Sequence, residues 1–442
     1  MIKRIVCLIL SAFLCLNLCG CVFFASDANE LLSPPELSGE LAPIADAIEK
    51  SAGGIYNFQY PSRGDYRSAV VQFDIDSDGI LEAFAFYSMT EGETITMHIN
   101  ALTCNDGDWN SVATQKIVAG SVDRVEFCDL DSDGVFEILV GWEIYGTTEM
   151  QLAVYSMSKE TLTQRMLHKY SSFITCDLDE DKKNEILIIK ADATEGVNSA
   201  ALFEFNEEGV TQIAACDLDN AAKTINEPIN GTLSTGKPAV YIDEIKGIGA
   251  VTEILFMEKG KLMNPLFQEE TRETVSTLRS VLFKMDDINN DGVIEIPVQE
   301  VVPSVAKKEI NEKLYLTHWC SFNGEILTKQ MTTIVNFEDG YYFNISPKLI
   351  GKIAVYKDTD NNLREIYKYN SKESSVGESL FYFKAITKAD WDSGNYHAKD
   401  IFEILNNGTT SFICRLTDAA KKMGITEEEI KANFKLYSAS IY

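Results

Sequence analysis

Positive charge is in short supply in this chain: 39 Lys and Arg stand against 67 Asp and Glu in 442 residues, a formal net charge of -28. A field of that sign repels nucleic acid and anionic membrane surfaces, so no nucleic-acid partner is expected. Histidine is scarcer still. His98, His168, His318 and His397 lie far apart and form no H-E-x-x-H pattern, which removes the commonest zinc-hydrolase signature. There is no C-x-x-C zinc spacing, no G-x-S-x-G elbow and no phosphate-binding glycine loop. The longest apolar run, from Ile5 to Leu18, is too short for a comfortable membrane span. The four tryptophans, Trp109, Trp142, Trp319 and Trp391, are read as core packing rather than as a ligand groove. With 45% hydrophobic residues the chain has enough apolar material for two or three ordinary domains.

What the sequence does contain is one acidic register written four times. Asp74, Asp76, Asp78 and Glu82 occupy positions 1, 3, 5 and 9 of the first copy. Asp129, Asp131, Asp133 and Glu137 do so in the second, Asp177, Asp179, Asp181 and Glu185 in the third, and Asp287, Asn289, Asp291 and Glu295 in the fourth. Gly79, Gly134 and Gly292 stand at position 6, where a sharp turn needs positive φ, whereas the third copy carries Lys182-Lys183 there. Several oxygen ligands on one turn suit a hard cation, and Ca²⁺ is the expected ion, in a structural role and at several sites. A solvated Asp-rich turn is the plainer alternative at any single copy. Mg²⁺ fits less well because it retains water and takes fewer protein oxygens. The loop starts like an EF-hand and then departs from it: position 12 holds Ala85, Val140, Ile188 and Val298 instead of Glu, and a β-type apolar run follows.

A calcium loop leading into a strand, repeated along the chain, resembles the FG-GAP or VCBS repeat of integrin-α-type β-propellers. The first three copies begin at Asp74, Asp129 and Asp177, a blade-like spacing. The expected fold is therefore mainly β: a propeller of five four-stranded blades over residues 60–335, followed by a smaller α+β domain over 336–442. The fourth unit lacks the acidic loop, keeping only Asp243 and Glu253 beside Lys246-Gly247-Ile248-Gly249, and no metal is expected in it. In the last segment Thr417–Met423 and the capping box Thr426-Glu427-Glu428-Glu429 predict two short helices. Its aromatic opening is similar to PsbP or MOG1-like domains. Cys128, Cys176 and Cys216 each precede an Asp at equivalent places in different units, so they are read as apolar fillers and not as disulfide partners.

At the start of the chain, Lys3-Arg4, the apolar run and Leu18-Cys19-Gly20-Cys21 resemble a bacterial lipoprotein signal. The resemblance implies a signal peptide over 1–20, lipidation of Cys21, a tether and short helix over 21–59, and attachment to the cell membrane on its extracytoplasmic face. Because no catalytic constellation is visible, the chain is expected not to be an enzyme but to bind a protein or glycan at the cell surface. A propeller-based polysaccharide-active enzyme and an envelope assembly factor are the alternatives.

Overall fold

The computed structural model describes residues 41–437 apart from 148, 193–195, 207, 281–282, 304–312 and 359. The signal peptide, Cys21 and most of the tether lie outside the described residues. No helix among those described is long and apolar enough to cross a membrane. The chain is mainly β, in open antiparallel sheets, and it divides into two compact units. One comprises the described residues up to Glu126 with Trp142–Thr147 and Met157–Thr163. The other comprises Phe127–Gly141, Thr148–Ser156 and everything from Gln164 onward.

The first unit opens with the helix Ala42–Ala52. Pro43 is tolerated there because the first helical turn has no intrahelical use for its missing N–H. Ile44, Ala47 and Ile48 fall on one stripe and are buried against Val70, Ala83, Ala85, Tyr87 and Leu102 of the neighbouring sheet. Full burial of Ile44 and Ile48 stabilises the docking by about 1.5–3 kcal/mol each. Gly53 ends the helix at φ 63°, with its N–H donating to the Glu49 carbonyl. The sheet runs Tyr56–Phe58, Glu82–Glu91, Thr94–Asn105, Asp108–Ile117, with Val70–Phe73 also paired to Glu82–Glu91.

The strands Ser121–Cys128, Glu137–Glu143, Met150–Ser158 and Thr161–Tyr170 form a four-stranded meander. Within the second unit, Ser172–Cys176, Glu185–Asp192, Val197–Asn206 and Gly209–Asp217 repeat the meander. Pro238–Lys246 and Gly249–Glu258 centre the next sheet. Register repeats with the sequence. Phe73 faces Glu82, Cys176 faces Glu185 and Asp286 faces Glu295, so the residue before each of these three loops lies opposite its position-9 Glu.

Arg279 makes an isolated bridge to Ala250. Residues 337–340, just past the expected domain boundary, form the turn of a hairpin: Leu327–Asn336 pairs with Tyr341–Asn344. The sheet that contains them runs Ile296–Val301, Tyr315–Phe322, Leu327–Asn336, Tyr341–Asn344, Phe434–Leu436. A last sheet orders Ile353–Asp358, Leu363–Asn370, Ser375–Thr387, Thr410–Leu416, Ile401–Asn406. One core joins Leu316 and Ile334 of the former to Val355, Ile366, Phe383 and Phe412 of the latter. Both short helices form: Asp418–Lys422 behind the Thr417 cap, and Glu427–Asn433 behind Thr426, whose hydroxyl accepts from the Glu429 N–H at 3.2 Å. The six described cysteines are free, and Cys176, Cys320 and Cys414 are buried.

Candidate metal centres

Each acidic loop is closed by the same three hydrogen bonds. Position 1 accepts from the N–H of position 6: Asp74 from Gly79 at 3.0 Å, Asp129 from Gly134 at 3.0 Å, Asp177 from Lys182 at 3.2 Å and Asp287 from Gly292 at 2.8 Å. Position 5 accepts from position 7: Asp78 from Ile80 and Asp133 from Val135 at 2.7 Å, Asp181 from Lys183 and Asp291 from Val293 at 2.8 Å. The buried Glu at position 9 reaches back to position 2: Glu82 to Ile75 and Glu137 to Leu130 at 3.1 Å, Glu185 to Leu178 at 2.9 Å and Glu295 to Ile288 at 3.2 Å. This explains why Glu, and not Asp, recurs at position 9: it must span from the next strand to the start of the turn.

The turn needs two left-handed residues, one more than the sequence reading anticipated. Position 4 takes positive φ at Ser77 (60°), Ser132 (60°), Glu180 (66°) and Asn290 (61°). Position 6 takes it at Gly79, Gly134 and Gly292, and at Lys182 with φ 76°. A Cβ at Gly79, Gly134 or Gly292 would meet nothing within 4 Å, so conformation rather than space selects glycine. Lys182 holds the same conformation at a cost of about 1 kcal/mol.

Carboxylate oxygens converge in three of the loops. Asp74, Asp76 and Asp78 form one group, Asp129, Asp131 and Glu137 a second, and Asp177, Asp179, Asp181 and Glu185 a third, each with one oxygen per residue inside a 4.8 Å span. Glu82 and Asp133 stand outside these groups and serve through their backbone hydrogen bonds. The fourth loop differs. The Asn289 amide Nδ2 donates to Asp291 at 3.0 Å and to Glu295 at 2.8 Å, so an internal donor sits between those two acids. Rotating that amide by half a turn would present its oxygen to the same place, the arrangement a cation selects.

The oxygens fit a hard cation on a further ground. Asp129 Oδ1, Asp131 Oδ1 and Asp177 Oδ1 are buried and have no hydrogen-bond partner among the described residues. An unsatisfied buried acceptor costs about 1–3 kcal/mol, and more when charged. Burial, reinforced by the neighbouring aspartates, pushes the Glu137, Glu185 and Glu295 carboxyls up to about 7. Burial also raises Glu82 and Asp131. A divalent cation would neutralise these groups and supply the missing partner; its chemistry here is charge compensation. The second and third loops are also tied to each other. Ser132 Oγ donates to the Lys182 carbonyl at 2.6 Å, and Asn184 Nδ2 to the Asp129 carbonyl at 3.0 Å.

The fourth unit replaces the loop by a covalently attached cation. Lys246 Nζ lies 2.9 Å from Asp219 Oδ2 and 2.6 Å from Glu273 Oε2, and it donates to the Thr274 carbonyl. The Asp219 N–H donates to Glu253 Oε2 at 3.0 Å, so Glu253 takes up a backbone amide much as the position-9 glutamates do. Glu244, fully buried close to Glu253, is held well above the usual carboxylate range by burial and by that neighbour. On the same strand Asp243 meets the buried Arg279 at 2.8 Å. The histidines pack: His98 stacks on Tyr87, His318 bonds to Thr332 and Glu300, and His397 lies against Trp391. Trp142 and Trp319 are fully buried.

No protein-family model matches the chain, and no curated protein matches it. Solved structures do. The chain is similar to a periplasmic gluconolactonase from Pseudomonas aeruginosa, at 12% identity over 72% of this chain and 86% of that one, with a TM-score of 0.31. It is similar to the rhamnogalacturonan lyase YesW at 11% identity over 85% and 95%, TM-score 0.32. An exo-β-1,3-galactanase from Phanerochaete chrysosporium matches at 10% identity over 75% and 79%, TM-score 0.27. These three neighbours are named as enzymes, and the expectation that this chain is not one is withdrawn. At these TM-scores the likeness transfers no reaction, substrate or site residue.

Proposed function

We propose that the chain is a Ca²⁺-braced β-repeat protein of the bacterial cell surface, lipidated at Cys21 and held on the extracytoplasmic face of the membrane. In this reading residues 60–335 make a five-bladed propeller of FG-GAP or VCBS type, and its partner is a protein or glycan. The cations are assigned to Asp74, Asp76, Asp78 and Glu82, to Asp129, Asp131, Asp133 and Glu137, to Asp177, Asp179, Asp181 and Glu185, and to Asp287, Asn289, Asp291 and Glu295. One observation supports the cation assignment: buried Asp oxygens without partners among the described residues sit inside loops whose backbone is already closed. Turns that were merely acidic and solvated would leave those atoms facing water.

The test is metal analysis of the purified full chain, with thermal unfolding in Ca²⁺, Mg²⁺ and EDTA. Three or more bound Ca²⁺ and a melting temperature raised selectively by Ca²⁺ are expected, with the gain reduced in Asp129→Ala and Glu137→Ala. Superimposable melts with no bound metal would reduce the loops to acidic turns.

A further inference from the structure

In this strongly acidic chain one cavity is lined by three cations. This cavity of about 250 Å³ in the second unit is lined by Lys313, Lys357 and Arg364 together with the rings of Phe283, Tyr315 and Phe337. Arg364 is only 8% exposed, and its Nη1 has no hydrogen-bond partner among the described residues. Its other terminal nitrogen reaches Glu338 only at 4.0 Å, whereas Lys357 takes the same carboxylate at 3.1 Å. Lys357 and Arg364 lie directly opposite each other on paired strands. Like charges in that relation destabilise a sheet, and a buried guanidinium N–H left unpaired adds a further cost. Both penalties fall away when an anion enters the cavity.

We infer that this cavity binds a small ring-bearing monocarboxylate, of the size of a hexuronic acid, through Arg364 and Lys357. The one terminal nitrogen of Arg364 without a partner among the described residues, Nη1, calls for a single anionic group. A planar guanidinium matches a carboxylate edge to edge. The volume, just under the ~300 Å³ lower end of ordinary ligand sites, suits a body of about one ring. Phe283 and Phe337, with centroids 4.7 Å apart, offer that ring an apolar wall, and Thr317 and Gln299 offer polar groups to its hydroxyls.

Equilibrium dialysis of the full chain with labelled glucuronate, in Ca²⁺ and again in EDTA, tests this. Glucuronate is expected to bind about tenfold or more tighter than glucose, and Arg364→Gln to weaken it by about tenfold or more with glucose unaffected. Lys357→Gln, whose side chain is less deeply packed, is expected to weaken it less and serves as the second variant if Arg364→Gln does not fold. Equal affinity for glucose and glucuronate, inorganic phosphate bound as tightly as glucuronate, absence of glucuronate binding, or unchanged affinity in a folded Arg364→Gln would each overturn the assignment.

Discussion

The third acidic loop and the Lys246 cluster deal with the same physical problem in opposite ways. Around Asp177, Asp179, Asp181 and Glu185 the carboxylates converge with a buried oxygen unpartnered, and compensation has to arrive from solution. Around Asp219 and Glu273 it is built into the chain as an ammonium with three partners. The first arrangement ties local stability to the concentration of an ion; the second does not. The contrast also explains why the fourth unit can dispense with an acidic loop: Asp219 and Glu253 keep the role of anchoring backbone N–H groups once Lys246 balances the charge.

The largest effect expected from breaking this comparison is at Lys246. Lys246→Met strands Asp219, which has no exposed side-chain surface, and should cost about 3–5 kcal/mol in denaturant unfolding. Added Ca²⁺ should not restore the loss; restoration would mean the cluster accepts metal after all. Next in size, counted per site, is loss of Ca²⁺: each site held at a hundred times its Kd contributes about 2.7 kcal/mol, so chelation should lower stability in a variant carrying Asp129→Ala by about one site's share less than in the wild type.

The metal-free protein should also respond to pH. Glu137, Glu185 and Glu295 are raised from 4.5 in the ordinary state to about 7 in the fold, so the fold binds their protons more tightly than the unfolded chain. Stability is then fully present below pH 4.5 and lost as the pH rises through 7. Melting in EDTA should therefore fall between pH 5 and 8, and saturating Ca²⁺ should flatten that dependence. A metal-free melting temperature that climbs over the same window would sink the assignment of these buried acids.

Smaller changes sharpen the contrast. Ser132→Ala removes one bond between the second and third loops, should cost about 1 kcal/mol, and should reduce any coupling between their Ca²⁺ sites in a calorimetric titration. Lys182→Gly relieves a left-handed side chain at φ 76° and removes a positive charge from the third loop. It should stabilise by up to about 1 kcal/mol and tighten Ca²⁺ there.

The loops were legible in the sequence because every closing bond spans at most nine residues. Glu at position 9 and Gly at position 6 are local requirements, and the capped helices after Thr417 and Thr426 obey equally local rules. What escaped the sequence depends on partners far along the chain. Nothing near Lys246 announces that Asp219 and Glu273 will surround it, and nothing at Arg364 announces Lys313 or Phe283. The left-handed Ser77 and Ser132 were missed for another reason: serine carries no glycine-like signature, and its conformation follows from the turn as a whole. Residues 336–340 read as a break because the repeat pattern stops there, although the backbone continues as a hairpin.

That hairpin has a consequence for how the protein is made. The strand Tyr341–Asn344 is flanked on one side by Leu327–Asn336 and on the other by Phe434–Leu436. While the nascent chain is shorter than Phe434, the outer edge of Tyr341–Asn344 has unpaired N–H and C=O groups beside aromatic side chains, a template for pairing with another molecule. Completion of this sheet therefore waits for the last described strand to emerge, and a chain interrupted anywhere before it leaves that edge open to aggregation and proteases. Pulse-labelled chains truncated before Phe434 should be cleared faster than chains ending after Leu436.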